Sequence, residues 1–415
     1  MDRLRNAAII LNISLLLIYG NVLYQLRWPL SHGYSDFVSL YTAGEILKRG
    51  EANHLYDLHL QYEIQKQVAP AVSTRQSALP FVRPAFEAWV FWPLAHLPYE
   101  AAFVVWNLFN CACLILATLC LRREIPGLNN VSPLLLVASG LSYFPVFFTI
   151  LQGQDSILLL LIYVVSYAAL RRDRQFLAGI TLGFGIFKFP LLIPFLIPFA
   201  VKKRVSVLFG FAVTSLALGT VTVATVGLST AAYYPKYLLN IDKLAVGVNR
   251  AQDMPNIRGL LGTLLRGGLS REMSVLLLVL LSVLLLAYVI RRWSFDSDSE
   301  RATFALGLAL NVVATILVSY HCHAFDLSLL LLPIGLAAGT LLSKEPIAPA
   351  TRKFLIWLLC LLMFSPLYMW ITFNADAPSL LAIPIVAFAF AIGLAIQDLQ
   401  KTGIGKHSEA SSFQS

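Results

Sequence analysis

The sequence predicts an all-α polytopic membrane protein, and three observations carry that prediction. Hydrophobic residues fill 58% of 415 positions and charged residues only 13%, giving a mean hydropathy of +0.73. A soluble domain needs roughly a quarter of its residues charged to stay hydrated. Apolar runs recur along the chain, many near the 20 or so residues that a helical span needs. Lys and Arg gather in short clusters between these runs, as the positive-inside rule expects. The formal net charge of +9 is therefore read as membrane topology, and nucleic acid is not an expected partner.

Taken in order, spans are expected at roughly 7–26, 100–121, 132–151, 156–170, 176–187, 189–201, 205–227, 274–290, 303–320, 327–342, 354–372 and 380–399, about twelve in all. The first follows a short basic leader with Arg3 and Arg5 and has no small-residue cleavage site, so it reads as an uncleaved signal anchor. The clusters Arg122-Arg123, Arg171-Arg172-Asp173-Arg174, Lys202-Lys203-Arg204, Arg291-Arg292 and Arg352-Lys353 fall in alternate loops. Those loops are expected in the cytoplasm, together with both termini. The short loops 152–155, 321–326 and 373–379 hold no Lys or Arg and belong on the other side.

Two features depart from a plain up-and-down bundle. Basic clusters bracket residues 176–201, a stretch too short for two standard spans, so the chain must go in and return, with Lys188 before Phe189-Pro190 at the turn. Residues 84–97 are apolar but short and carry Glu87, which suits a re-entrant or interfacial helix. Two long segments, 27–99 and 228–273, are expected outside. Within the first, 39–66 reads as interfacial helices, with Leu40, Ala43, Ile46 and Leu47 on one face and Glu45, Lys48 and Arg49 on another; Gly50 then stops the helix. Residues 1–400 form a single membrane domain, and the polar tail 401–415 is expected to be disordered.

Ionisable and polar groups in or near apolar spans are costly and mark functional sites more often than surface charges do. On the predicted outer side these are Asp36, Glu45, Arg83, Glu87, Gln154, Asp155, Lys188, Arg258, His321, His323 and Asp326. Cys111, Cys113, Cys120 and Cys360 lie in apolar runs as small hydrophobes. Cys322 alone reads as accessible, and no disulfide framework is expected. His321-Cys322-His323 offers imidazole and thiolate, but neighbours in one short loop rarely supply a full coordination set, so neither metal nor cofactor is expected. Asp296-Ser297-Asp298 is similar to a cation-binding acidic triplet, yet in a predicted cytoplasmic loop it reads as a solvated charge run.

These positions carry a resemblance. The chain resembles glycosyltransferase family 87, integral membrane enzymes of the GT-C class that use polyprenyl-phosphate sugars. The matching patterns, in order, begin with Asp36-Phe37, Tyr41-Thr42-Ala43-Gly44 and the stretch from Gly50 to Asp57. Arg83-Pro84, Pro93-Leu94-Ala95, Leu97-Pro98 and Trp106-Asn107 follow, then Gly153-Gln154, Ala178-Gly179 and Lys188-Phe189-Pro190. Asn256-Ile257-Arg258-Gly259 and the run from Tyr320 to Pro333 complete the series. Two positions differ: Phe81-Val82-Arg83-Pro84 stands where the family often has an aromatic and Pro-Pro, and Asp155 stands where Asn is usual.

The resemblance implies a GT-C fold in a bacterial plasma membrane. It also implies transfer of a hexose, most plausibly mannose, from a polyprenyl-phosphate donor to a lipid or glycan acceptor outside the cytoplasm, with inversion at the anomeric carbon. Such a reaction needs a base for the acceptor hydroxyl and donors for the leaving phosphate. Asp36 is the expected base, although a residue there is also a common helix N-cap. Lys188, Arg258, His321, His323 and Gln154 are the expected donor-phosphate or substrate ligands, with Asp326, Asn256 and Arg83 in support. Lys188 has an ordinary reading as a snorkelling lysine, Arg258 as an anchor to lipid headgroups, and Asp326 as the partner that orients an imidazole. A transporter or flippase also places charges and broken helices in the membrane, but the sequence shows none of the internal repeats that such a fold carries.

Overall fold

Apolar runs give helices throughout, some with Pro in their interior, as at Pro194 and Pro198: among the described residues every regular element is helical. The computed structural model describes residues 2–70, 72, 77–244, 250–265, 268, 270–293, 301–375 and 377–412. The acidic triplet at 296–298 lies outside them. Seven helices are long and apolar enough to cross a membrane, or up to nine if two bent pairs, Pro133–Ser142 with Phe144–Gln152 and Pro349–Leu362 with Ser365–Asn374, each count as one span. The protein is therefore an integral membrane protein, though length alone does not recover the twelve expected spans. Ser156–Arg171 and Ala302–Val318 are apolar but short, and both are largely enclosed by neighbouring helices, so they need no full-length lipid-facing surface.

Residues 175–201 form one apolar stretch long enough to span by composition, yet side-chain contacts fold it back on itself. Ser166 Oγ reaches Ala178 O at 3.4 Å, and Lys188 Nζ reaches Ser156 Oγ at 2.5 Å, so Gln175–Gly183 runs antiparallel to Ser156–Arg171. Tyr163 then donates to Leu191 O at 2.6 Å and stacks on Phe195, with ring centroids 4.6 Å apart. Phe199 ends against Trp293. A straight helix rising 1.5 Å per residue could not bring both Ala178 and Phe195 to the same two turns. Phe189–Val201 must descend, leaving Lys188 at the tip. Glycine permits the close packing beside it: a Cβ on Gly179 would lie 2.0 Å from Val207 O, and one on Gly210 would lie 2.2 Å from Phe176 O.

The basic clusters collect at one end of the bundle. Arg172 pairs with Glu124, Ile125 packs on Gly339, and Arg352 binds Leu341 O and Glu345 O. Ala348 N donates to Asp398, and Arg292 reaches the neighbouring Gln397. The loops without cations lie at the opposite end.

At that opposite end the first outer segment departs from expectation. The helix Phe37–Lys48 is buried from Phe37 to Leu47 on every face instead of lying amphipathically at an interface. Its polar face is covered because Gly44 lets the short helices of 85–96 press backbone to backbone, where a Cβ would meet Phe91 O at 2.4 Å. Glu45 is satisfied there by Lys48 and Arg49, each at 3.1 Å. Phe37 is enclosed by Tyr41, Phe91, Tyr99 and Phe103, a burial that stabilises by about 1.5–3 kcal/mol. Cys322 is buried and Cys360 exposed, the reverse of the sequence reading, because His321 and His323 take the cavity side of their loop. The helix Val205–Leu244 breaks at Gly227, whose φ of 78° is outside the helical region. Its outer part leans over the first outer segment, with Thr230 Oγ1 on Asn53 O at 2.9 Å. The last helix, Ala382–Ser412, continues into the polar tail.

Candidate active site

The turn at residues 152–154 aims two glutamines at Asp36. Gly153 adopts a left-handed conformation, φ 61°, and a Cβ there would come within 2.6 Å of Phe37 Cβ. Only glycine lets the turn sit against the start of the Phe37–Lys48 helix. Trp106 Nε1 holds Gly153 O at 2.8 Å and Asn110 Nδ2 holds Gln154 O at 3.0 Å. Asp36 N then donates to Gln152 Oε1 at 3.2 Å, and Gln154 Nε2 donates to Asp36 Oδ2 at 2.9 Å. Asp36 occupies the N-cap position but its side chain makes no capping bond. Its carboxylate is held by the amide of another helix end.

Arg83 links this pair to a buried ionic cluster. Its Nη2 donates to Gln154 Oε1 at 3.3 Å and lies 3.1 Å from Asp155, while Nε is 3.7 Å from Glu87. Lys188 Nζ, almost wholly buried, sits 2.6 Å from Asp155 Oδ1, 2.6 Å from Asp326 Oδ1 and 2.5 Å from Ser156 Oγ. An ammonium has three protons, and these partners engage all three, which is not the geometry of a snorkelling lysine. Burial and the adjacent Asp155 push the Glu87 carboxyl well above its usual range. Asp155, which burial alone would raise, is held below its usual range by Arg83 and Lys188. The cluster thus sets two cations, Arg83 and Lys188, against Asp155, Asp326 and Glu87, and its surroundings bias the Glu87 carboxyl toward the neutral form.

The imidazoles of His321 and His323 meet edge to face, ring centroids 4.6 Å apart. Burial, and then His323, lower His321 to about 3; burial also lowers His323. Both are neutral near pH 7, each with one N–H to donate. Asp326 accepts from the backbone N–H of His323 at 2.9 Å. It thus fixes the loop at His323 through the main chain, where the sequence suggested contact with an imidazole.

These groups surround a cavity of about 680 Å³ lined by Asp36, Arg83, Gln154, Lys188, His321, His323 and Asp326 among others. Residues from all three cation-free loops line it. Phe148, Phe325, Phe373 and Leu191 form its apolar wall. Arg258, expected as a ligand, does not line it, and Asn256 stands behind the His321 loop. Arg258 donates to Tyr320 O at 2.8 Å and stacks 4.0 Å over the Tyr320 ring. Asn256 caps the helix Ile257–Leu264 through Gly259 N and donates to Ser319 O. Gln152, Ser156, and the rim pair Arg250 and Asp253, joined at 2.9 Å, were not anticipated. Nothing in their local sequence separates them from ordinary helix-end and loop residues. Among the described residues no cluster of three His, Cys, Asp or Glu is placed to hold a metal ion.

A carboxylate facing a mixed polar and apolar cavity, with a guanidinium and two imidazoles nearby, has the components for deprotonating a hydroxyl beside an anionic leaving group. The family model of glycosyltransferase family 87 matches residues 81–319. No curated protein and no solved structure matches the chain.

Proposed function

The chain belongs to glycosyltransferase family 87 and is a membrane glycosyltransferase, and from that premise we propose that it transfers a hexose, mannose in the simplest case, from a polyprenyl-phosphate donor to a lipid or glycan acceptor. The observation that supports this reading is the Asp36 carboxylate, held by Gln154 on the wall of a cavity with one apolar side.

In this proposal an acceptor hydroxyl attacks the anomeric carbon in line. Asp36 takes the hydroxyl proton as the new C–O bond forms, and the bond from the anomeric carbon to the phosphate oxygen breaks with its electron pair. Polyprenyl phosphate leaves, and configuration inverts. The leaving oxygen receives hydrogen bonds from Arg83 and from the N–H groups of His321 and His323; Lys188, already engaged by three partners, holds the cavity floor. The aromatic wall accommodates the first isoprene units, and no metal is required for a lipid-phosphate leaving group so placed. The site opens on the side opposite the basic clusters, which by the positive-inside rule is extracytoplasmic. A GT-C architecture and a bacterial plasma membrane are part of the same proposal.

The test incubates purified protein with radiolabelled polyprenyl-phosphate mannose and a membrane-lipid extract, comparing wild type with Asp36→Asn. Asparagine preserves shape and a Gln154 contact but accepts no proton, so transfer falls by about 10²–10⁴-fold with folding unchanged. Undiminished transfer removes Asp36 as the base. No transfer with any hexose donor, together with passage of a lipid substrate across proteoliposomes, replaces the reading with a transporter.

A further inference from the structure

Outside the catalytic cavity, the part of the Val205–Leu244 helix beyond Gly227 overhangs residues 53–59 and encloses a cleft of about 510 Å³. A second hollow of about 570 Å³ continues from it, sharing Asn53, His54, Asp57 and His59. The lining is aromatic on one wall, where the exposed Tyr233 ring stands before the buried Tyr56 and Tyr237, and polar on the other. Among the described residues neither hollow is lined by a Lys or an Arg.

That combination selects a ligand class. Tyrosine rings present a flat apolar face with partial negative charge, against which the C–H face of a pyranose packs. Carboxylate, amide and imidazole groups take hydrogen bonds from and to vicinal hydroxyls. With no Lys or Arg in the lining, Asp57 and Glu51 present, and the nearby Lys66 already paired with Glu63 at 2.7 Å, phosphate is disfavoured. The Asp57 carboxylate is oriented in advance, because Oδ1 accepts from His59 N at 2.9 Å and Leu60 N at 3.3 Å. Such preorganisation lowers the entropy lost on binding.

The cleft also adjoins the catalytic site. Tyr237, Tyr234 and Tyr56 donate in turn to the carbonyls of Phe81, Val82 and Arg83 at 3.2, 3.0 and 2.9 Å. The segment 81–83 that these hydroxyls hold is the partition behind which the Arg83 side chain enters the cavity. We propose that the outer cleft is a carbohydrate-binding subsite for a neutral oligosaccharide, the sugar chain of an acceptor whose reactive end lies in the cavity. The assignment to an acceptor rests on the glycosyltransferase reading; the binding chemistry does not.

The experiment is saturation-transfer NMR on the full chain in detergent, with α-linked mannotetraose, maltotetraose and galactotetraose as probes. At least one probe is expected to bind saturably, with transfer strongest at its ring C–H protons. Tyr233→Ala and His54→Ala, both at exposed positions, weaken it about tenfold, equivalent to about 1.4 kcal/mol, whereas Asp36→Asn leaves it unchanged. In the transfer assay Tyr233→Ala raises KM for a long-chain acceptor by about the same factor without altering kcat. If no probe binds saturably, or binding ignores Tyr233→Ala and His54→Ala but is lost on Asp36→Asn, the subsite is overturned even where transfer is active. If probes bind as described but no donor is turned over, the transfer reading fails and the sugar site stands.

Discussion

Replacing Lys188 with methionine separates two roles for this side chain. In the structure its ammonium is 2.6 Å from each of two carboxylates that are themselves buried. At an effective dielectric of about 20, each contact is worth about 6 kcal/mol of attraction, most of it offset by the desolvation of the three ions. Removing the cation alone leaves Asp326 buried without its ionic partner and Asp155 with Arg83 alone, and breaking such a buried pair destabilises by about 3–5 kcal/mol. Lys188→Met should therefore unfold at markedly lower denaturant in mixed micelles. Adding Asp326→Asn to it removes the stranded charge, while Asp155 keeps Arg83, and should recover most of the loss. The fraction of folded protein, followed by circular dichroism through the titration, measures both effects. If Lys188→Met unfolds with the wild type while KM for a polyprenyl-phosphate donor rises tenfold or more, the cluster is not a scaffold and Lys188 is a direct phosphate ligand.

Arg258→Ala should leave donor KM within about twofold while lowering stability by about 1–2 kcal/mol, through loss of the Tyr320 stacking and hydrogen bond; a tenfold rise in KM without destabilisation would return Arg258 to the phosphate site. His321 titrates at about 3 in the fold against 6.5 in its reference state, so the folded protein binds fewer protons than the unfolded chain between those values. Stability contributed by the neutral ring is intact above 6.5 and falls as pH drops through it, by up to about 1.4 kcal/mol per unit. Denaturation midpoints between about pH 7.5 and about pH 5 measure this slope, and a flat or rising profile contradicts a buried neutral imidazole. Gly179→Val puts a Cβ where Val207 O lies 2.0 Å away and should cost about 3 kcal/mol, whereas Gly219→Ala, with nothing within 4 Å, should be near neutral in the same titration.

Much of the site was legible because membrane placement makes polar residues conspicuous. Asp36, Gln154, Lys188, His321 and His323 stand out against apolar surroundings, and charge parity assigned them a common side before any contact was known. The hairpin was legible for a related reason: two basic clusters separated by too little apolar chain force a return. Ser156 and Gln152 carried no such signal, since serine and glutamine at helix ends are ordinary. The burial of the Phe37–Lys48 helix was not legible either, because its partner, the 85–96 segment, is brought over it by the close approach at Gly44, and a one-dimensional pattern of polar and apolar faces does not encode that cover. Arg258 and Asn256 are polar beside apolar runs, and the sequence does not show that their side chains hold the turn at Tyr320 and Ser319.

The spacing of the Lys188 partners along the chain bears on how the protein enters the bilayer. An isolated charge near the centre of a membrane carries a penalty of a few kcal/mol during insertion. Lys188 follows its Ser156 contact by 32 residues, and Asp155 is the residue before it, so the cation and its first counterion leave the ribosome almost together and can enter as a pair. Asp326 is 138 residues from Lys188. Where helices enter in the order of synthesis, this last carboxylate meets a countercharge that Lys188 already supplies.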